Sequence, residues 1–282
     1  MKNKVQVAML QMEVQLLKPE ANLAKMQKTI ESICSQSPVD LIVFPELANS
    51  GYLKATYREF GPSYLKVAEP IPGPFTTGLS EMARKHGVYI IAGLLEAHPD
   101  ITATVYNSAV LIDPAGDIVG LHHKMHIPSE EKHYFYPGNT VDVYATELGK
   151  IAMQVCADVR FPELSRVQTL LGAEIICAVF ARPRREPYLM PEGLISLTQT
   201  RAYENAVFFL SCNRVGTEDE ATFSGRSTIA SPLAEVLTCS ATQEEEILRA
   251  TLEADKLYEA RAITSIFRDR RPEHYGLICQ PF

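Results

Sequence analysis

Four side chains able to move a proton or attack a carbonyl stand in this sequence where a strand should end. In α/β sheets that is the usual place for function. Glu46 follows an apolar run in LIVFPELANSGY, and Lys124 follows another in LHHKMHIP. Glu131 sits among aromatics in SEEKHYFYPG, and Cys156 stands at a strand-to-helix junction in KIAMQVCADVRFPE. Each has an ordinary explanation on its own: a solvated loop acid, a surface ammonium, a partly buried carboxylate, a core thiol. Together they form a reactive set. A cysteine at such a junction can have its thiolate stabilised by helix N-terminal N–H groups and a nearby ammonium. One carboxylate can take the thiol proton and later pass it to a leaving amine. A lysine, helped by a backbone N–H beside the cysteine, can hold the oxyanion of a tetrahedral intermediate. A second carboxylate can orient that lysine. These are the parts of an acyl-transferring cysteine hydrolase that uses Glu and Lys instead of His and Asn.

The elements that must position these residues alternate short β-rich runs with helical stretches, the pattern of an α/β layered fold. KVQVAMLQ (4–11) reads as a first strand, and Leu23, Met26, Ile30 and Ile33 recur at helical spacing, placing a helix over 19–37. DLIVF (40–44) is nearly all apolar, as expected of a strand covered on both faces. A helix over 76–86 stops at Gly87 and feeds the strand VYIIAGLLE. YNSAVLID and residues 118–122 flank Pro114-Ala115-Gly116-Asp117, a hairpin turn. The second half reads as the strand KIAMQV, a helix over 162–171, the strand EIICAVF, a helix over 191–204 and the strand AVFFLSCN. STIAS and EEEILRATLEA close as strands, with a last helix over 255–261. Neither a Gly, Ser or Pro-rich linker nor a sequence repeat divides the chain, so a single domain over 1–282 with two packed sheets is expected.

Composition narrows the function classes. The 282 residues are 46% hydrophobic and 22% charged, with 15 Gly and 18 Pro, which describes an ordinary globular chain. Lys plus Arg is 27 against 34 Asp plus Glu, a formal charge of −7 without a basic run, so nucleic acid is not an expected partner. The N-terminal stretch is broken by Gln6, Gln11 and Glu13, unlike a signal peptide, and no segment approaches the ~18 apolar residues of a membrane span. The six cysteines (34, 156, 177, 212, 239 and 279) show no CxxC pair and no zinc spacing. A reduced, cytoplasmic protein without structural disulfides or a membrane partner is the expectation.

At this point the sequence resembles the nitrilase superfamily of carbon–nitrogen hydrolases. The resemblance rests on FPE followed by Gly51-Tyr52, Lys124 in KMHI, EKHYFYPG, CADVRFPE, Gly172-Ala173, RAYENAVF and SGRSTIASPLAEVL, in the family's order over roughly residues 4–252. It implies a four-layer αββα sandwich, usually paired with a second subunit into a homodimer or higher homo-oligomer. It assigns Cys156 as nucleophile, Glu46 as general base, Lys124 as oxyanion-stabilising lysine and Glu131 as second glutamate. It implies no metal and no organic cofactor. His126 falls at a position the family often fills with His, and His122, His123 and His133 lack a helical register with carboxylate support, so none of the four is read as a metal ligand. Residues 253–282 are taken as a C-terminal extension used in subunit contacts.

Two departures bear on substrate. Ala157 stands where well-known branches carry a large side chain, suggesting more room near the acyl pocket. The strand after the nucleophile ends in AVFARPRREPY, where Arg182, Arg184 and Arg185 either clamp a substrate carboxylate or form a solvated basic loop. Tyr52, Ala157, Ala181 and Arg182 are the candidate substrate contacts. The expected activity is hydrolysis of a small non-peptide carboxamide or carbamoyl compound. RFPE after Asp158 resembles amidase branches more than true nitrilases. Nitrile hydrolysis, or a catalytically idle binding module, are the rival readings.

Overall fold

The computed structural model describes residues 1–52, 61–184, 190–218 and 221–281. Its strands are β1 (Lys4–Gln11), β2 (Leu41–Val43), β3 (Tyr89–Ala97), β4 (Val105–Ile112), β5 (Ile118–His123), β6 (Tyr144–Thr146), β7 (Gly149–Val155), β8 (Ile175–Phe180), β9 (Phe208–Asn213), β10 (Thr217–Glu218), β11 (Ala221–Thr222), β12 (Thr228–Ala230), β13 (Val236–Cys239) and β14 (Glu246–Glu253). The helices are α1 (Pro19–Gln36), α2 (Gly61–Lys66), α3 (Pro74–His86), α4 (Pro162–Leu170), α5 (Glu192–Asn205) and α6 (Ala254–Thr264). One six-stranded sheet runs β14–β1–β2–β3–β4–β5 and the other β13–β12–β9–β8–β7–β6. Each has three adjacent parallel strands, β1–β2–β3 and β7–β8–β9, flanked by antiparallel ones.

The layers follow from side-chain alternation along the strands. In β1, Val5, Val7 and Met9 join Met153, Val155, Cys177, Leu210 and Cys212 in the core between the sheets. The intervening Ala8 and Leu10 instead pack under Met26, Ile30 and Ile33 of α1 and Phe75 and Leu79 of α3. On the other side Ile176, Ala178 and Phe209 meet Leu194 and Ala202 of α5. The result is an αββα sandwich, with each buried aliphatic or aromatic side chain contributing about 1.5–3 kcal/mol. Helix α3 stops as expected at Gly87, whose φ of +65° suits a residue without a Cβ. Among the described residues no helix is long and apolar enough to cross a membrane.

Most expected elements form within a residue or two of their ends. The short pieces β6, α2 and β13 were not expected. β6 spans three residues and β13 four, and neither is fully buried, so neither shows a usable periodicity. The late strand β14 pairs antiparallel with β1 from Lys4↔Glu253 to Gln11↔Glu246, so the chain returns to close the first sheet.

Candidate active site

The strand ends deliver the polar residues to one place. Glu46 follows β2, Lys124 follows β5, Cys156 follows β7 and Ala181 follows β8. The bend after β2 is packed so closely on β3 that a Cβ on Gly93 would lie 2.5 Å from Glu46 Cα and 2.7 Å from the Pro45 carbonyl oxygen. Phe44 and Ala48 donate their backbone N–H groups to Ile91 and Gly93, 2.8 Å each, which fixes the path of the chain through Glu46. Glu131 comes from a short 3₁₀ turn, Ser129–His133.

Lys124 Nζ donates to Glu46 Oε1 at 3.0 Å and to Glu131 Oε2 at 2.7 Å. Lys124 and Glu46 are fully buried and Glu131 nearly so. Glu46 Oε1 also accepts from Asn107 Nδ2 at 2.7 Å, and its Oε2 accepts from the backbone N–H of Ala181. Glu131 Oε1 accepts from the Tyr52 hydroxyl at 2.8 Å. Asn107 was not singled out from the sequence. It lies inside the apolar-looking strand YNSAVLID, and only the pairing of β4 with β5 reveals it, through its carbonyl bond to the Lys124 N–H at 2.8 Å.

The electrostatics follow from burial. Burial works against a charge on Lys124, but Glu46 and Glu131 more than reverse it, holding the ammonium well above its usual range. Burial pushes Glu131 up, with Lys124 pulling the other way. The Cys156 thiol is pushed well up by burial and by Glu46 and Glu131, against the pull of Lys124. With two carboxylates around one ammonium, the site favours a protonated thiol beside Glu46. The expected stabilised thiolate is therefore not the state favoured here. Its supposed support, the N-terminus of α4, begins only at Pro162, while Cys156 opens a 3₁₀ turn, Cys156–Arg160. Cys177 and Cys212 are buried thiols of the inter-sheet core, also pushed up by burial.

Cys156 has a φ of +44°, a strained conformation for a residue with a side chain. The residue that holds it was missed by sequence reasoning. Asp158, fully buried, accepts from the Val155 N–H at 3.1 Å, the Met125 N–H at 3.1 Å and the His126 N–H at 3.0 Å. It also meets His122 Nε2 at 2.9 Å and His126 Nδ1 at 2.8 Å. Burial opposes the Asp158 charge, but the hydrogen bonds from His122 and His126 prevail and hold its carboxyl well below the usual range. His123 lies 2.8 Å from Glu96 instead. A short acid two places after the cysteine was the only available signal.

Of the substrate-side candidates, Tyr52 reaches the cluster through Glu131, Ala181 through its backbone, and Ala157 is buried beside the cysteine. Arg182 is partly buried, Arg184 is exposed, and Arg185 lies outside the described residues. A buried carboxylate beside a thiol, with an ammonium fixed between that carboxylate and a second one, can transfer a proton and stabilise an oxyanion in one small volume.

A sequence profile of the carbon–nitrogen hydrolase family matches residues 6–262. A Pyrococcus abyssi protein named nitrilase is 37% identical over 275 residues, covering 96% of this chain and 99% of that protein. A Solanum lycopersicum protein named N-carbamoylputrescine amidase is 30% identical over 274 residues, covering 91% and 89%. The crystal structure of a carbon–nitrogen hydrolase from Helicobacter pylori G27 superposes with a TM-score of 0.87 at 26% identity, covering 99% of each chain.

Proposed function

The chain belongs to the carbon–nitrogen hydrolase family and is a hydrolase of non-peptide C–N bonds; within that family we propose that it is an amidohydrolase forming a thioester on Cys156. Its substrate is a small carboxamide or carbamoyl compound. The observation that carries this reading is the Lys124 ammonium held between Glu46 and Glu131. An ammonium has three N–H donors. Two are engaged by the carboxylates, and the third is left for a substrate oxygen.

Because the thiol is held neutral, Glu46 removes its proton as Sγ attacks the carbonyl carbon, rather than meeting a preformed thiolate. The carbonyl π pair moves onto oxygen, where Lys124 and a backbone N–H next to Cys156 stabilise it. Collapse breaks the C–N bond as protonated Glu46 gives its proton to the leaving nitrogen, so ammonia or an amine departs and a thioester remains. Glu46 then deprotonates water, which attacks the thioester. The acid leaves, and the proton returns to Sγ. Glu131 keeps Lys124 charged and aimed. Tyr52, Ala157, Ala181 and Arg182 form the substrate side, and the small side chain of Ala157 leaves space there.

Nitrile hydrolysis is the second reading, favoured by the name of the Pyrococcus relative. Offering the protein an aliphatic amide and the matching nitrile separates the two. Ammonia release from the amide is expected; release from the nitrile with none from the amide would reverse the assignment. Labelling by a thiol reagent without turnover of any amide would favour the idle binding module.

The six free thiols suit a reducing cytoplasm. Residues 253–282 supply a dimer contact in this reading, because Tyr258 is 80% and Leu277 78% exposed. Sedimentation of Tyr258→Ser with Leu277→Ser tests it. Dimerisation unchanged from wild type would remove the extension from the interface.

A further inference from the structure

A cavity of about 460 Å³ adjoins the site, within the range of small-ligand pockets. Its wall is built from the immediate neighbours of the reactive residues. Met125 and His126 follow Lys124, Lys132 follows Glu131, and Ala157 follows Cys156, with Arg160 completing the rim. Besides His126, whose ring is engaged by Asp158, the polar side chains on this wall are Lys132 and Arg160. Lys132 and Arg160 are exposed cations without an ion-pair partner among the described residues, and none of the described lining residues carries a carboxylate. This is a local reversal in a chain whose formal charge is −7.

Arg182 adds a third cation. Its Nη1 is buried without a hydrogen-bond partner. Burial holds the guanidinium below its usual range, and the like charge of Arg160 adds to the lowering, so the two arginines repel each other. Two exposed cations lining one cavity, with the buried guanidinium of Arg182 close enough to Arg160 to feel its charge, are stabilised by an anion that brings its own charge. A cationic ligand would meet like charges.

Resting on the amidase reading above, we propose that this cavity takes the far end of the substrate and that this end is anionic. The substrate class is then an amide carrying a carboxylate, the monoamide of a dicarboxylic acid. Arg160 and Lys132 meet the carboxylate, and Arg182 adds to the field behind them.

Three amides of matched length test this: glutaramate with a carboxylate end, pentanamide with a methyl end and 5-aminopentanamide with an ammonium end. The expected order of kcat/KM is carboxylate, then methyl, then ammonium. Arg160→Gln and Lys132→Gln should each lower the carboxylate-to-methyl ratio about two- to fivefold, the size of an exposed ion pair, mainly through KM. Added salt should lower the same ratio in the unmodified protein, a measurement that needs no variant to fold.

A second probe needs no turnover. The rate of Cys156 alkylation by iodoacetate relative to iodoacetamide should exceed the ratio for glutathione, and should fall in both variants. Amide turnover that favours the methyl or ammonium end, with an alkylation ratio equal to that of glutathione, would overturn the anionic site while leaving the amidase reading in place. Charge-selective alkylation with no amide turned over would sustain the anionic site and remove the amidase reading.

Discussion

Asp158 Oδ1 lies 2.8 Å from His126 Nδ1, which fastens the residue two places after Cys156 to the residue two places after Lys124. The loops carrying the nucleophile and the ammonium are thus held by one buried carboxylate. Because Asp158 also accepts the Val155 N–H, the same group secures the strained turn at Cys156.

Asp158→Asn is therefore expected to cost about 3 kcal/mol of stability near neutral pH, the scale of disrupting a buried charged network, and to lower kcat more than it raises KM. The sign of its pH dependence follows from the direction of the shift. The Asp158 carboxyl is held below its ordinary value, so its stabilisation is complete above about pH 4 and is lost as pH falls further. The gap in Tm between wild type and Asp158→Asn should narrow on acidification below that point. A gap that widens there would contradict the assignment of the charge.

Lys124→Ala should lower kcat by at least ~10²–10³-fold, the effect of losing an oxyanion donor. Lys124→Arg should not restore it, because a planar guanidinium cannot replace a compact ammonium between Glu46 and Glu131. His123→Gln should keep most activity, since His123 is paired with Glu96. His122 and His126 are different: both hold Asp158, so their variants should behave as weaker forms of Asp158→Asn. A dead His123→Gln beside a nearly wild-type Lys124→Ala would overturn this chemistry.

Tyr52→Phe removes the hydroxyl that Glu131 accepts at 2.8 Å, while the ring keeps its edge-on contact with Phe223. An unpaired buried oxygen costs about 1–3 kcal/mol. A fall of roughly tenfold in kcat/KM together with a lowered Tm is expected by steady-state kinetics and calorimetry. Unaltered kinetics would free Glu131 from any dependence on Tyr52.

Gly93→Ala would place a methyl 2.5 Å from Glu46 Cα. Overpacking of this kind costs about 1–3 kcal/mol. Because the displaced backbone carries Glu46, kcat should fall as well, even at temperatures where the variant is fully folded. A variant with wild-type stability and rate would mean that the two strands can separate freely there.

The sandwich and the reactive set were legible in the sequence, and for the same reason. Runs such as KVQVAMLQ and EIICAVF show where strands lie, and the polar residue that follows each run is conspicuous against it. What escaped was polar chemistry inside such runs or created by pairing. Asn107 is a strand residue until β5 aligns with it, and Asp158 is one more loop acid until His122 and His126 fold onto it. The preference for a neutral thiol was equally hidden, because it depends on how many carboxylates end up around Cys156. The basic cavity wall was not visible either, since Lys132 and Arg160 come from separate loops.

The thioester on Cys156 is tested most directly by mass. The protein is mixed with an amide substrate, quenched in acid within the first turnovers and digested. An acyl adduct is expected on the peptide bearing Cys156 and on no other cysteine, with no adduct and no turnover in a folded Cys156→Ala variant. An adduct on Cys177 or Cys212, or full turnover by Cys156→Ala, would contradict it.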